Sequence, residues 1–190
     1  MNTKSFLIVV SALAAAVAQA GVKVDIYSGY NTSTDGAPFS GLVGSFNAPT
    51  INFATDTGYA WHPYSLNTFG AQITGNFHVA QAGNYAFALN SDDGSSFSID
   101  NTLAVDDSGA HPPEFKQGSS MWLSAGCHPI KLNFYEDFGG QSGVDLLVSK
   151  NGGNFQLTGG RDFCSSVPGP SAILSFGLSA IGIRIRRRKA

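Results

Sequence analysis

Between residues 21 and 165, apolar residues recur at every second position in short runs, and no segment carries the three-to-four spacing of a long helix. Val22, Val24 and Ile26 alternate in VKVDIY, and Ile73, Phe77 and Val79 lie in AQITGNFHVA. Tyr85, Phe87 and Leu89 share one face of NYAFALN, and Ile130, Leu132 and Phe134 one face of PIKLNFYE. Phe97 with Ile99, then Leu103 with Val105, mark two further strands. Asp100 and Asn101 lie between them, and both residue types tolerate the left-handed conformations of a tight hairpin turn. SMWLS and the more continuously apolar VDLLVSK add strands, with Trp122 placed mid-strand in the core. A period of two leaves each strand one face to bury. Strands alone can bury those faces between two packed sheets or inside one closed sheet, which predicts an all-β chain, a β-sandwich or squat barrel. The 23 glycines and 14 phenylalanines fit many turns and aromatic-rich strands. Residues 29–66 are different: rich in Gly, Ser, Thr and Pro, they predict a long surface loop with a short strand or two.

The two ends stand apart from this pattern. MNTKSFLIVVSALAAAVAQA has Lys4, an apolar run from Phe6 to Val17 and the small residues Ala18-Gln19-Ala20, the layout of a secretory signal peptide. The other reading is a membrane span, but the run is short of the ~20 residues a span needs. VPGPSAILSFGLSAIGIRIRRRKA carries a proline pair, an apolar segment from Ser171 to Ile183 and a basic end of Arg184, Arg186, Arg187, Arg188 and Lys189. An apolar run followed at once by basic residues is a stop-transfer pattern; the alternative is an amphipathic surface tail. The expected organisation is therefore a signal helix over 1–20, one β-domain over 21–165, and a tail with a short apolar helix over 166–190. The protein is expected to be exported, with transient membrane association through the tail.

Gly21–Ser165 holds five basic and all thirteen acidic residues, a formal net charge of 5 − 13 = −8. An acidic exported domain excludes nucleic acid as partner and suits cations. Cys127 and Cys164 are the two cysteines, and in an exported chain an even count reads as a disulfide, the alternative being two buried thiols. His62, His78, His111 and His128 show no ligand spacing among themselves and read as surface or strand residues. Asp106-Asp107, before SGAHPPE, reads as a solvated loop.

Asp92-Asp93 is the chemically informative pair. The two aspartates end an apolar strand and open the turn Gly94-Ser95. Adjacent carboxylates repel, so water or a cation must relieve them. Either they are turn residues only, or they hold a metal. A calcium ion takes six to eight oxygens, and YEDFGGQSG after the PIKLNFYE strand is the best source of more. Glu136 and Asp137 offer carboxylates there, and backbone carbonyls near Phe138 and Gly140 are further donors. Trp61, in GYAWHPY with Tyr59 and Tyr64, is either a sugar-stacking platform or a core residue.

GNFHVAQAGNYAFALNSDDGSSFSIDNTLAVDD (75–107) and AGCHPIKLNFYEDFGGQSGVDLLVSK (125–150) resemble the PA-fourteen domain family, the lectin-like β-sandwich of bacterial protective antigen. The shared string runs from a Gly-Tyr-x-Phe strand through Ser-Asp-Asp-Gly-Ser and an Ile-Asp turn to a Gly-x-His-Pro-Ile strand with an acidic loop. The resemblance implies that Asp92 and Asp93 are joined by a cis peptide and hold calcium that also meets sugar hydroxyls, as in the family's lectins and GLEYA-type adhesins. Aligned on Pro-Ile-Lys, Glu136 stands where those adhesins place an asparagine ligand. The tail resembles a PEP-CTERM sorting signal, with Gly169 in place of the usual glutamate and Arg184 early. That resemblance implies the envelope or matrix of a Gram-negative bacterium that makes exopolysaccharide, and processing by an exosortase-type enzyme near Val167–Pro170. The expected function is calcium-dependent binding of carbohydrate or exopolysaccharide, adhesin-like and not enzymatic. The alternative is a structural matrix or envelope protein that binds no specific sugar or calcium. Catalysis by the pair is disfavoured, because glycosidase carboxylates flank a bond ~5–9.5 Å apart. No nucleophile elbow, P-loop or HExxH is present.

Overall fold

Twelve strands succeed one another in a computed structural model that describes residues 20–32, 36–53, 61, 64, 67–137, 139 and 142–165. They are β1 (Val22–Asn31), β2 (Gly36–Ala48), β3 (Asn52–Phe53), β4 (Phe69–Val79), β5 (Gly83–Asp92), β6 (Ser95–Ile99), β7 (Thr102–Asp107), β8 (Glu114–Gln117), β9 (Met121–Leu123), β10 (Gly126–Glu136), β11 (Gly143–Lys150) and β12 (Gln156–Leu157). The expected signal helix and sorting tail lie outside the described residues, as do Tyr59, His62, Phe138 and Gly140. Among the described residues, no helix is long and apolar enough to cross a membrane.

One sheet has the order β2-β1-β4-β10-β6-β7, and the other β12-β11-β5-β8, with β3 beside β11 and β9 beside β5. All pairings are antiparallel. The alternating apolar series supply the core: Val24, Ile26, Ile73, Phe77, Leu132 and Phe134 from the first sheet meet Phe87, Leu89, Val144 and Leu146 from the second. Phe87 packs on Phe77 at 5.2 Å and on Phe97 at 4.9 Å between ring centroids, which ties the sheets together. Such aromatic pairs add roughly 0.5–1.5 kcal/mol beyond the area they bury.

Four expectations are corrected. Residues 36–48 form a full thirteen-residue strand rather than loop. β2 is an edge strand held mainly by its backbone ladder to β1, and its side chains alternate little because many of them face solvent. Leu103 is 55% exposed. β6 and β7 pair Phe97 with Val105 but Ser98 with Leu103, so Ala104 is an extra residue and the bulge turns Leu103 outward. Trp122, expected in the core, is 65% exposed on the short edge strand β9. Asp107, expected in a solvated loop, is 2% exposed, because inward alternation resumes after the bulge through Val105 to Asp107.

The turn between β6 and β7 has positive φ at both Asp100 (51°) and Asn101 (60°), the conformation that two-residue hairpin turns require. Asp100 also serves its neighbour: its Oδ2 lies 2.7 Å from His128 Nδ1, while His128 Nε2 lies 2.9 Å from the Ser124 carbonyl. Burial works to lower the His128 pKa, but the bonds to Asp100 and Ser124 outweigh it and hold the ring above its ordinary 6.5. A raised folded value means that this contact stabilises fully below the unfolded pKa and is lost as pH rises through the folded one. NMR titration of His128 should therefore give a midpoint above 6.5 that falls back in Asp100→Asn. An unchanged midpoint in that variant would show that the pair does not set it.

Cys127 and Cys164 form a disulfide with Cα atoms 6.2 Å apart and a sequence separation of 37. The last described stretch is further fixed by a bridge from Phe163 to Phe77 and by the Cys164 N–H on the Asn76 carbonyl at 2.9 Å. Replacing both cysteines by serine should lower unfolding free energy by about 3–4 kcal/mol, the loop-closure entropy of that span, as read from urea melts. A loss under about 1 kcal/mol would mean that the bridges of Phe163 and Cys164 alone restrain the stretch.

Candidate functional site

The inward-facing series of three strands ends in carboxylate at one end of the sandwich. On β10, Ile130, Leu132 and Phe134 are followed by Glu136, 2% exposed. On β5, Phe87, Leu89 and Ser91 lead to Asp92 and buried Asp93. On β7, Val105 leads to Asp107. β5 belongs to one sheet and β10 to the other, so the sandwich itself brings these residues together.

The Asp92–Asp93 peptide is cis. One carboxylate oxygen each from Asp92, Asp93 and Glu136 lies within 4.8 Å of the others. Asp93 is oriented by two loops: its Oδ1 accepts the His111 backbone N–H at 3.0 Å, and its Oδ2 the Asp137 backbone N–H at 3.0 Å. Gly94 has to be glycine here, since a Cβ would stand 2.5 Å from Tyr135 Cε1 and 2.6 Å from the Gly109 carbonyl oxygen. Behind the pair, Tyr135 stacks on Tyr30 at 5.5 Å and donates to the Thr32 carbonyl at 3.1 Å. Burial first, then the charges of Asp93 and Asp137, push Tyr135 up to about 12. Burial and then the Asp93 charge push Asp92 above the usual carboxylate range, against a lowering by His111.

These groups share a cleft of about 490 Å³ whose walls include Asp92, Asp93, His111, Pro112, Pro113 and Glu136. A hollow of similar size, about 520 Å³, lies beside Cys164 and Val22, and no carboxylate among the described residues lines it. Three converging carboxylates, with ionisation of Asp92 disfavoured by burial and by the Asp93 charge, form a hard, all-oxygen donor set. Such a set fits calcium.

Asp137 stands beside this group rather than in it. It contributes a backbone N–H to Asp93, and its own Oδ1 accepts the Tyr30 hydroxyl at 3.3 Å. Trp61 cannot act as a sugar platform: it is 1% exposed, stacked between Phe134 at 5.0 Å and Phe53 at 4.6 Å. Aromatic neighbours enclose both of its faces, so no face is left for a ligand. His111 passes unnoticed in a search for histidine spacing alone. The signal is a mixed one, Asp107, His111 and Glu114 at i, i+4 and i+7, with two prolines fixing the loop between.

A family profile described as PA14 domain matches residues 26–155. No curated protein matches the chain significantly. Among solved structures, an anti-sigma factor domain-containing protein from Clostridium clariflavum is similar at TM-score 0.64 and 18% identity, over 79% of this chain. The chain spans about half, 48%, of that protein's length. A structure described as a PA14 sugar-binding domain from an RTX adhesin is similar at TM-score 0.62 and 19% identity, over 78% of this chain and 99% of that one. The Epithelial Adhesin 6 A domain from Candida glabrata, solved in complex with Galb1-3GlcNAc, is similar at TM-score 0.59 and 14% identity, over 86% and 96%. At these identities the likeness is one of fold.

Proposed function

The chain belongs to the PA14 domain family, and from that premise we propose that it is an exported, adhesin-like module that binds carbohydrate through calcium held by Asp92, Asp93 and Glu136. The observation that carries the reading is the convergence of three carboxylates from both sheets on a cleft large enough for a sugar. Two similar structures support it by their descriptions, one a sugar-binding domain and one an adhesin with a bound disaccharide.

Asp93 is oriented by its two backbone donors before any ligand arrives. Asp92 and Glu136 complete the negative wall, and Pro112 and Pro113 stiffen the rim opposite. A calcium ion bound there supplies further coordination positions for vicinal sugar hydroxyls. Asp92, Asp93 and Glu136 present oxygens within 4.8 Å of one another, closer than the ~5–9.5 Å at which two carboxylates flank a glycosidic bond. That spacing supports binding over hydrolysis.

Residues 1–20 direct export, and residues 166–190 act as a PEP-CTERM-type sorting tail, a reading supported by the sequence alone. The natural partner is then a hydroxyl-rich polymer of the cell surface or matrix. The test is a glycan array run in calcium and again with chelator. Chelator-sensitive signal on a defined set of glycans is the expected outcome. Equal signal in both buffers removes calcium from the mechanism, and no signal in either leaves a structural matrix protein as the better account.

A further inference from the structure

Residues 108–113, Ser-Gly-Ala-His-Pro-Pro, join β7 to β8, and three side chains on and beside this loop converge. One ligand atom from each of Asp107, His111 and Glu114 lies within 4.8 Å of the others. Asp107 closes β7 opposite Ser95, and Glu114 opens β8 opposite Ser91, so two ladders hold the carboxylates in place. Asp107 Oδ2 is further fixed by the Ser91 hydroxyl at 3.1 Å, itself 2.7 Å from the Ser95 hydroxyl. The ring is confined as well. His111 precedes a proline, which restricts its backbone, and Pro112-Pro113 restricts the next two positions.

The surroundings of the imidazole are one-sided. Nδ1 lies 2.9 Å from the Pro112 carbonyl oxygen. Nε2 lies 3.3 Å from the Asp107 carbonyl oxygen and 3.6 Å from Asp107 Oδ2. All three partners are acceptors, whereas a neutral imidazole carries a single N–H. Once Nδ1–H donates to Pro112, the Nε2 lone pair faces oxygen lone pairs, and that arrangement calls for a positive centre between them. An Nδ1–H bonded to a backbone carbonyl is also how proteins orient a histidine that ligates metal through Nε2.

We infer that Asp107, His111 and Glu114 form a second metal site, one that takes a borderline transition-metal ion of the zinc class. Calcium selects oxygen, whereas an imidazole nitrogen with two carboxylates is a zinc-class set. Glu114 is exposed, so a fourth position faces solvent and is open to water or a partner's donor group. The site shares no side chain with the Asp92, Asp93 and Glu136 group and does not rest on the sugar-binding reading. It adjoins that group through the backbone, because the His111 N–H holds Asp93. An ion gripping the His111 ring therefore fixes one wall of the cleft. A proton is the competing occupant. Burial lowers the His111 pKa, but the Pro112 and Asp107 carbonyls and the nearby carboxylates outweigh it and raise the ring above its ordinary value. Mildly alkaline buffer favours the metal.

The test is calorimetric titration of Zn²⁺ into the purified chain, without affinity tag and saturated with calcium, paired with visible absorption of the Co²⁺ form. One zinc per chain is expected, with cobalt bands of low coordination number. His111→Ala should weaken zinc by more than about tenfold, since even outer partners of a metal site are worth 10–100-fold. Glu114→Gln, at an exposed position where folding is not at stake, should weaken zinc as well. Calcium uptake should be unchanged in Glu114→Gln, because Glu114 is not among the walls of the Asp92 cleft. No zinc heat in the calcium-saturated chain, or heat that survives both substitutions, overturns the site. Zinc uptake lost in Asp92→Ala but kept in His111→Ala also overturns it, by assigning the ion to the aspartate pair. Zinc binding without calcium binding sinks the calcium-dependent sugar reading and leaves the zinc site standing.

Discussion

Asp92→Ala is expected to abolish calcium uptake and calcium-dependent sugar binding while leaving the fold intact. Outer-shell partners of metal sites are worth 10–100-fold, so loss of a direct carboxylate should exceed about a hundredfold in affinity. The stability result should run the other way. Asp92 is held above the usual carboxylate range by burial and by Asp93, so its ionised form opposes folding at neutral pH. In calcium-free buffer the variant should melt no lower than the parent, but it should lose the rise in melting temperature that calcium gives the parent by mass action. Asp93→Ala should differ. It orphans the His111 and Asp137 backbone donors, at about 1–3 kcal/mol for each left unsatisfied, so it should lose calcium and stability together. Calorimetry and thermal melts of the two variants, with and without calcium, separate these outcomes. Undiminished calcium uptake by Asp92→Ala would remove the pair from the site.

The second large effect is expected at Trp61. It fills the space between Phe53 and Phe134, with Phe69 edge-on at 5.1 Å. Truncation to alanine leaves a cavity that stacked rings cannot readily close, and about 3–5 kcal/mol of unfolding free energy should be lost. The protein that remains folded should bind calcium as the parent does. A variant of normal stability that had lost sugar binding would return Trp61 to the ligand side.

Strands whose alternation is complete could be read directly. Val22 to Ile26, Tyr85 to Leu89 and Ile130 to Phe134 have a period because one face of each is buried from end to end. β2 left no such trace, since an edge strand held by backbone bonds imposes little on its side chains. Trp122 was misplaced for a related reason, while of the two readings of Trp61 the core one holds. Trp61 sits where the sequence has no period yet is wedged into the core, whereas Trp122 lies in a strand at a sheet edge with nothing over it. The bulge at Ala104 could not be seen in the sequence, although Val105 and Asp107 two positions apart already implied an inward carboxylate. Asp92 and Asp93 were visible as a pair. Glu136 was named beside them together with Asp137, but which of the two converges on the pair was not legible, because it depends on how the ends of two sheets meet.

Ala20 bridges Ser165, so the domain's two ends leave side by side, next to Cys164. Cys127 and Glu136 stand at opposite ends of β10, a strand span of about 30 Å at ~3.3 Å per residue. The carboxylate cleft therefore lies about a full strand length from the point where Ala20 and Ser165 meet. If the domain is tethered beyond Ser165 as proposed, a pull on a bound polymer would run down β10 and cross from Cys127 to Cys164 through a covalent bond, sparing the loop that their sequence separation of 37 closes. On that proposed function the disulfide would bear the load and keep traction off β11 and the turns around it.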